Sequence, residues 1–190
     1  MVWLIRHLIF LAPAMILLAG VPMTALASAD SVTVTVGHGQ GKLPPPQNNY
    51  DFIHMGVIFS HEANGWIEEQ TGWDPPGEWS FDVMPYLGII NEPDTNVEVS
   101  VGVGLRIGVP LGSKWTPYVY GGGGPIFVTQ DIRGQSTDLN FGSYAGFGLS
   151  HHLNQHNSIG VIYAIRHFSN ASVRDPNNGV DINAWAVTYT

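Results

Sequence analysis

The sequence predicts an all-β protein, specifically an eight-stranded antiparallel up-and-down transmembrane β-barrel. Apolar and polar residues alternate in short runs, and clusters of Gly, Pro, Asn and Asp separate the runs. No segment after residue 29 shows convincing helical periodicity. The chain has 23 glycines among 190 residues and no cysteine, so disulfides cannot stabilise it. A closed sheet can hold such a chain together by packing and backbone pairing alone.

Eight runs have the length and alternation of strands, and eight is the smallest common strand number for a closed outer-membrane barrel. In chain order they are Val32–Val36, Phe52–Ser60, Trp79–Ile89, Val97–Val109, Thr116–Val128, Leu139–Ser150, Ser158–Phe168 and Asp181–Tyr189. The connections agree with this division, because Gly112–Lys114 has the composition of a short turn. Glu62–Glu78 and Asp131–Asp138 are predicted to be longer polar loops.

The run Val97–Val109 shows which face of the sheet meets which environment. Its odd positions are all Val, Leu or Ile, whereas its even positions are glycines, a serine, Glu98 and Arg106. A membrane barrel turns the apolar face to lipid and fills its narrow interior with the small and charged residues. A soluble exported β-sandwich binding protein is the alternative, but it would leave these glycines in water. Tryptophans and tyrosines near the strand ends also fit interfacial aromatic belts.

Residues 1–29 predict a secretory signal peptide. A short charged start is followed by the apolar run Leu8–Val21 and by small residues that offer cleavage after Ala27 or Ala29. A retained anchor helix is the alternative interpretation of this segment. Residues 30–190 are then expected to form one β-barrel domain.

The composition and two other motifs argue against three classes of ligand: nucleic acids, metal ions and nucleotide phosphates. The formal net charge of −8 argues against nucleic acid as a partner, since phosphates need clustered Lys and Arg. His151, His152 and His156 have metal-binding side chains, but their Asn-rich segment indicates an inter-strand turn, so no metal is predicted. Gly121–Gly124 lacks the Gly-Lys-Ser/Thr ending of a phosphate-binding loop, and no helix follows it.

The seventh predicted strand carries a histidine and a serine two residues apart, His167 and Ser169. Residues at this spacing share one face of a strand. Arg166 lies on the other face and belongs in the polar interior, because a mid-strand charge facing lipid costs about 2–4 kcal/mol. His167 and Ser169 therefore point outward. The next strand starts with Asp181, which its own alternation places on the same outer wall.

These three side chains predict an ester-cleaving site on the outer wall, where a membrane-embedded substrate would meet it. Ser169 would be the nucleophile, His167 the general base, and Asp181 the group that orients the imidazole. Asn170 or nearby backbone N–H groups would stabilise the oxyanion. Spacing alone also admits a chance His-x-Ser pair, with Asp181 merely starting a strand after a turn.

A longer match adds to this pattern. The string His167-Phe-Ser-Asn-Ala, followed by Pro176-Asn-Asn-Gly-Val-Asp181, resembles the active-site segment of the lipid A 3-O-deacylases, the PagL family of Gram-negative outer membranes. The Gly-rich strands between Trp115 and Tyr189 resemble that family as well. The best-known members carry glutamate at the acid position, so the Asp181 carboxylate must sit about one methylene closer to the histidine.

The resemblance implies an outer-membrane esterase that removes the 3-O-linked 3-hydroxyacyl chain from lipid A without a cofactor or metal. It assigns the base to His167, the nucleophile to Ser169, the acid to Asp181 and an oxyanion-hole role to Asn170. The implied partners are lipid A or lipopolysaccharide as substrate and outer-membrane lipid, and a homodimer is compatible with them. The alternative function is a non-catalytic eight-stranded barrel with a structural or adhesion role, in which the triad is degenerate.

Overall fold

The computed structural model describes residues 28–190, and eight long strands account for most of them. The strands are β1 Ser31–Lys42, β2 Asn49–Glu62, β3 Glu78–Glu92, β4 Asn96–Gly108, β5 Trp115–Val128, β6 Leu139–His152, β7 Ser158–Ser169 and β8 Val180–Tyr189. The predicted signal peptide lies outside the described residues except for its last two positions, so it stays a prediction.

The sheet closes on itself. Each strand pairs antiparallel with the next one, and β1 pairs with β8 to complete the barrel. This confirms the predicted fold class and the number of strands. The start of β1 and the end of β8 lie at one end of the barrel, and the loops 43–48, 129–138 and 170–179 lie at the other.

The first strand is longer than predicted, because Val32–Val36 is only its first part. The remaining run, Gly37 to Lys42, contains no large apolar residue, so alternation could not identify it as strand. Pairing with β2 on one side and β8 on the other holds this half of β1 in the sheet. The interior glycine Gly39 leaves space for a neighbouring interior side chain, since a Cβ there would lie 2.3 Å from the Phe52 ring.

The barrel is inside-out relative to a soluble protein. Val103 and Val187 on the outer wall are 60% and 63% exposed, whereas Glu98 and Arg106 point into the interior. An apolar outer wall is what a bilayer requires of a spanning barrel. The prediction that small and charged residues fill the interior is confirmed.

A buried ion pair lies inside the barrel near the end that carries the long loops. The Arg166 guanidinium donates to both carboxylate oxygens of Glu98, at 2.9 and 3.0 Å. The Tyr50 hydroxyl donates to the same carboxylate at 2.5 Å, and Arg166 also contacts the Tyr86 hydroxyl. The bidentate geometry pairs the two charges away from water through both terminal nitrogens of the guanidinium. Arg166 is therefore interior, as predicted, and its neighbours in β7 must face outward.

The connection Glu62–Glu78 differs from the prediction, because it contains a helix, α1 Asn64–Thr71. The helix ends at Gly72, whose φ of 70° is left-handed and whose N–H donates to the Glu68 carbonyl at 2.8 Å. Two turns with only two large apolar residues are too short to show periodicity in the sequence. Among residues 28–190, no helix has the length and hydrophobicity to cross a bilayer.

Candidate active site

The pairing of β7 with β8 brings together the histidine and the acid. His167 and Asp181 are direct cross-strand partners, and His167 Nδ1 lies 2.7 Å from Asp181 Oδ1. Because a carboxylate can only accept, Nδ1–H donates, and Nε2 is the nitrogen that can take a proton from a nucleophile. Both side chains face outward, with 47% and 85% of their surfaces exposed.

Ser169 ends β7 two residues beyond His167, on the same outer face. Among the described residues, no hydrogen bond joins the Ser169 hydroxyl to the His167 ring. Two strand residues advance about 6.6 Å, a gap that a serine and an imidazole side chain can span by rotating toward each other. Such bonds are often loose in a protein without substrate and tighten when substrate binds.

A second serine faces the same histidine from the opposite side. Ser143 of β6 is the direct cross-strand partner of His167, and its side chain is exposed on the outer wall. His167 thus lies between Asp181 on β8 and Ser143 on β6, with Ser169 further along its own strand. Spacing along the sequence could not reveal Ser143, because its position depends on the register of two strands.

Gly179 supports the histidine and was not singled out by the sequence reasoning. Its φ is +71°, and a Cβ built there would lie 2.4 Å from His167 Cε1 and 2.9 Å from Nε2. A side chain at this position would displace the ring from Asp181. The signal for it in the sequence is the glycine just before β8, in a turn that requires a left-handed residue.

Asn170 is 1% exposed and organises the loop after β7. Its side-chain Nδ2 donates to Ser136 Oγ at 3.0 Å and to the Arg174 carbonyl at 2.7 Å. Its backbone N–H donates to Asn177 Oδ1 at 2.8 Å. The donors of Asn170 are thus engaged within the loops, so a role in the oxyanion hole would require one of these bonds to break.

The next residue offers a donor that is already available. The backbone N–H of Ala171 makes no hydrogen bond within residues 28–190, and the residue is exposed. Ala171 and Ser172 have φ values of 53° and 60°, a left-handed pair directly after Asn170. Non-glycine residues in this region are strained, and such strain is frequent at functional sites.

Neighbouring loops hold this segment in place. Ser136 Oγ donates to the Arg174 carbonyl at 2.7 Å, and the Asn178 N–H donates to the Gly134 carbonyl at 2.8 Å. The loop 129–138 is itself tied to the loop 43–48, since Gln47 Nε2 donates to the Asp131 carbonyl at 2.6 Å. The backbone beside Ser169 is therefore fixed by contacts with the other loops at this end.

An apolar groove lies along the outer wall on the barrel-centre side of the site. It has a volume of about 670 Å³ and is lined mainly by Pro117, Phe147, Leu149, Val161, Tyr163 and Trp185. Tyr163 lies on the same face of β7 as His167, and its hydroxyl donates to Asn183 Oδ1 at 2.6 Å. The lining of the groove ends at Tyr163, four residues before His167 on the same face of β7.

The three other histidines singled out in the sequence are only partly in a turn. His151 and His152 belong to β6, and only His156 lies in the β6–β7 connection, which corrects the predicted turn. The His151 ring packs against Trp115 at a centroid distance of 4.2 Å and a tilt of 44°, and His152 Nε2 lies 3.0 Å from Thr116 Oγ1. The sequence predicts a turn there because Ser150, His151 and His152 are all polar and show no apolar–polar alternation. Within residues 28–190, no group of three or more His, Asp or Glu side chains is arranged to hold a metal ion.

The chain matches one protein family. The model of that family, described as lipid A 3-O-deacylase (PagL), matches residues 46–190, which include all the predicted site residues. A sequence comparison with curated proteins gives no match.

Two solved structures share the fold. The crystal structure of the outer membrane enzyme PagL aligns with a TM-score of 0.58 at 18% identity, covering 82% of this chain and 97% of that chain. The crystal structure of Neisserial surface protein A aligns with a TM-score of 0.56 at 12% identity, covering 86% and 98%. Together with the apolar outer wall, the family match and these neighbours indicate a barrel of a Gram-negative outer membrane.

Proposed function

Since the chain belongs to the PagL family of lipid A 3-O-deacylases, we propose that it is an outer-membrane esterase that removes the 3-O-linked 3-hydroxyacyl chain from lipid A. The observation that carries the proposal is the 2.7 Å hydrogen bond between His167 and Asp181 on the outer wall, beside Ser169. A soluble substrate would not reach groups that face lipid, whereas an amphiphile in the same leaflet would.

In the first half of the reaction, Ser169 Oγ attacks the ester carbonyl while His167 Nε2 takes its proton. Asp181 keeps the Nδ1–H tautomer in place and stabilises the imidazolium that forms. The tetrahedral intermediate then collapses, and the imidazolium returns the proton to the leaving 3-hydroxyl oxygen of lipid A. This produces the free sugar hydroxyl and an acyl-enzyme on Ser169.

In the second half, water attacks the acyl-enzyme with His167 as general base again, and the 3-hydroxy fatty acid leaves. Both tetrahedral intermediates carry an oxyanion that needs donors. Asn170 remains the predicted donor, and the exposed backbone N–H of Ala171 is a second candidate beside it. The proposal needs no cofactor and leaves the oligomeric state open, so a homodimer stays a prediction.

Mass spectrometry of lipid A tests this proposal in Gram-negative cells that express the protein. The wild type should remove one 3-hydroxyacyl group, and Ser169→Ala should lower this activity by about 10³-fold or more. Ser143→Ala is the matched control, since this exposed serine also neighbours His167, and it should leave the activity unchanged.

The outcomes separate the parts of the proposal. If the folded wild type leaves lipid A intact in a permissive membrane, the non-catalytic barrel becomes the better interpretation. Activity that survives Ser169→Ala but is lost in Ser143→Ala would move the nucleophile to β6. Loss of an acyl chain from a position other than 3 would overturn only the stated bond.

A further inference from the structure

A second histidine–aspartate pair lies on the outer wall, away from the proposed nucleophile. His38 Nε2 of β1 lies 2.9 Å from Asp51 Oδ2 of β2, and Gln40 Nε2 donates to the same oxygen at 3.2 Å. Alternation puts His38 and Gln40 on the same face of β1 as the exposed Val34 and Val36. Gln40 and Asp51 each lie two residues from the strand ends that flank the loop 43–48, at the end of the barrel that carries the proposed active site, where the polar groups of an amphiphilic substrate would meet the wall.

Barrel closure places this cluster next to the proposed active site. Gln40 is the direct cross-strand partner of both Asn183 on β8 and Asp51 on β2. Asp181 is two residues from Asn183 on the same outer face. Because neighbouring strands are about 4.8 Å apart, Gln40 lies about one strand spacing from β8 and Asp51 about two. A row of polar groups, Asn183, Gln40 and Asp51, therefore runs sideways across three strands. It begins two residues from Asp181 on the same face of β8.

The chemistry of the cluster selects its ligand. Asp51 offers only acceptors, Gln40 offers an amide with both functions, and His38 adds a ring nitrogen. This set suits the hydroxyl and amide groups of a sugar, and the Asp51 carboxylate disfavours a phosphate directly beside it. The lysine on this face of β1, Lys42, lies two residues beyond Gln40 at the end of the strand and outside the cluster. A metal is not indicated, because the described residues contain no three-ligand group.

We propose that His38, Gln40 and Asp51 form a subsite for the uncharged sugar part of a glycolipid. The inference rests on the proposed function and adds where the head of the substrate lies. The apolar groove at Phe147 and Trp185 lies toward the barrel centre from the catalytic groups. The polar row runs sideways onto β1 and β2, where His38 is the cross-strand partner of Trp185. A substrate with its acyl chain in the groove and its ester at Ser169 would extend its sugar across β8 onto β1 and β2.

Kinetics with two substrates test the subsite in the purified full-length protein. One substrate is lipid A in mixed micelles, and the other is a 4-nitrophenyl fatty-acid ester, which has no sugar. Asp51→Asn and Gln40→Ala should each raise KM for lipid A by about three- to tenfold, the loss expected for a hydrogen bond, with kcat nearly unchanged. Hydrolysis of the simple ester should not change.

Val34→Thr is the matched control, because Val34 is on the same face of β1 but six residues from Gln40. It should leave both activities as in the wild type. A parallel loss on both substrates in the Asp51 and Gln40 variants would mean that the cluster only holds β1 to β2, and an unchanged KM for lipid A would also overturn the proposal. If the effect of Asp51→Asn disappears with dephosphorylated lipid A, the subsite binds phosphate and the sugar assignment is wrong.

A binding measurement keeps this test independent of catalysis. In a Ser169→Ala background, Asp51→Asn should weaken lipid A binding by about three- to tenfold and leave binding of 3-hydroxydecanoic acid unchanged. If the wild type cuts no ester but this difference in binding is found, the proposed reaction fails and the sugar subsite stands. If binding of lipid A is unaffected, the subsite fails whatever the reaction is.

Discussion

The outer wall carries two histidine–aspartate pairs, which have similar distances but use different ring nitrogens, Nδ1 of His167 and Nε2 of His38, and have different surroundings. His167 and Asp181 are 2.7 Å apart, and His38 and Asp51 are 2.9 Å apart. The first pair has Ser169 on the same strand, and Gly179 packs against its ring. The second pair has Gln40 in place of a nucleophile. A hydrogen-bonded imidazole occurs in both places, so we expect the third group to decide whether a pair activates a nucleophile or only binds.

Replacing the aspartate of each pair by asparagine should give the largest difference in kcat between the two pairs. Asp181→Asn should lower kcat for lipid A by about 10²–10⁴-fold, because an amide in place of the carboxylate no longer enforces the Nδ1–H tautomer. Asp51→Asn should leave kcat nearly unchanged. Asp181→Glu is the conservative control and should retain much of the activity. Single-turnover rates measure this contrast, and equal losses of kcat in Asp181→Asn and Asp51→Asn would remove the distinction between the pairs.

A substitution at Gly179, which packs against the His167 ring, should have the next largest effect on kcat. Gly179→Ala should lower kcat by roughly 10–100-fold, because its methyl group would overlap His167 Cε1 and move the ring away from Asp181. Gly72→Ala is the matched control. Gly72 has a similar φ of +70°, but a Cβ there meets no atom within 4 Å.

Both variants should lower the free energy of unfolding, because each puts a Cβ on a residue with positive φ. Unfolding midpoints in urea measure this common loss of stability. Only Gly179→Ala should reduce the rate. If Gly72→Ala reduced it as much, the effect would come from barrel stability and not from the position of the ring.

Breaking the interior ion pair should have the smallest effect on kcat but a large effect on the free energy of unfolding. Glu98→Gln leaves the Arg166 charge without its carboxylate, which should lower the free energy of unfolding by about 3–5 kcal/mol. Because Arg166 precedes His167 in β7, a severalfold loss of kcat should accompany it. The purified protein in detergent allows both measurements.

Asp82→Asn is the comparison for this interior pair. Asp82 accepts a 3.2 Å hydrogen bond from Arg106 inside the barrel, away from the site. This variant should lose stability without a change in kcat. Equal losses of kcat in both variants would show that the interior under His167 has no special influence on the site.

Local patterns predicted much of this molecule because they depend on near neighbours in the chain. Alternation identified all eight strands and the outward faces, and Arg166 fixed which side of β7 is interior. Alternation failed where its signal was missing, in the glycine-rich second half of β1 and in the short helix α1. The contacts of Asn170 could not be predicted either, because Ser136 belongs to a different loop.

The sequence by itself determined the barrel, its inverted faces and the side-by-side placement of His167 and Ser169, since a strand repeats every two residues. Only the tertiary structure decided the register that puts Asp181 and Ser143 on either side of His167. It also decided that closure brings Gln40 of the first strand beside Asn183 of the last. Pairing between distant strands depends on how the whole sheet closes, and no local periodicity encodes it.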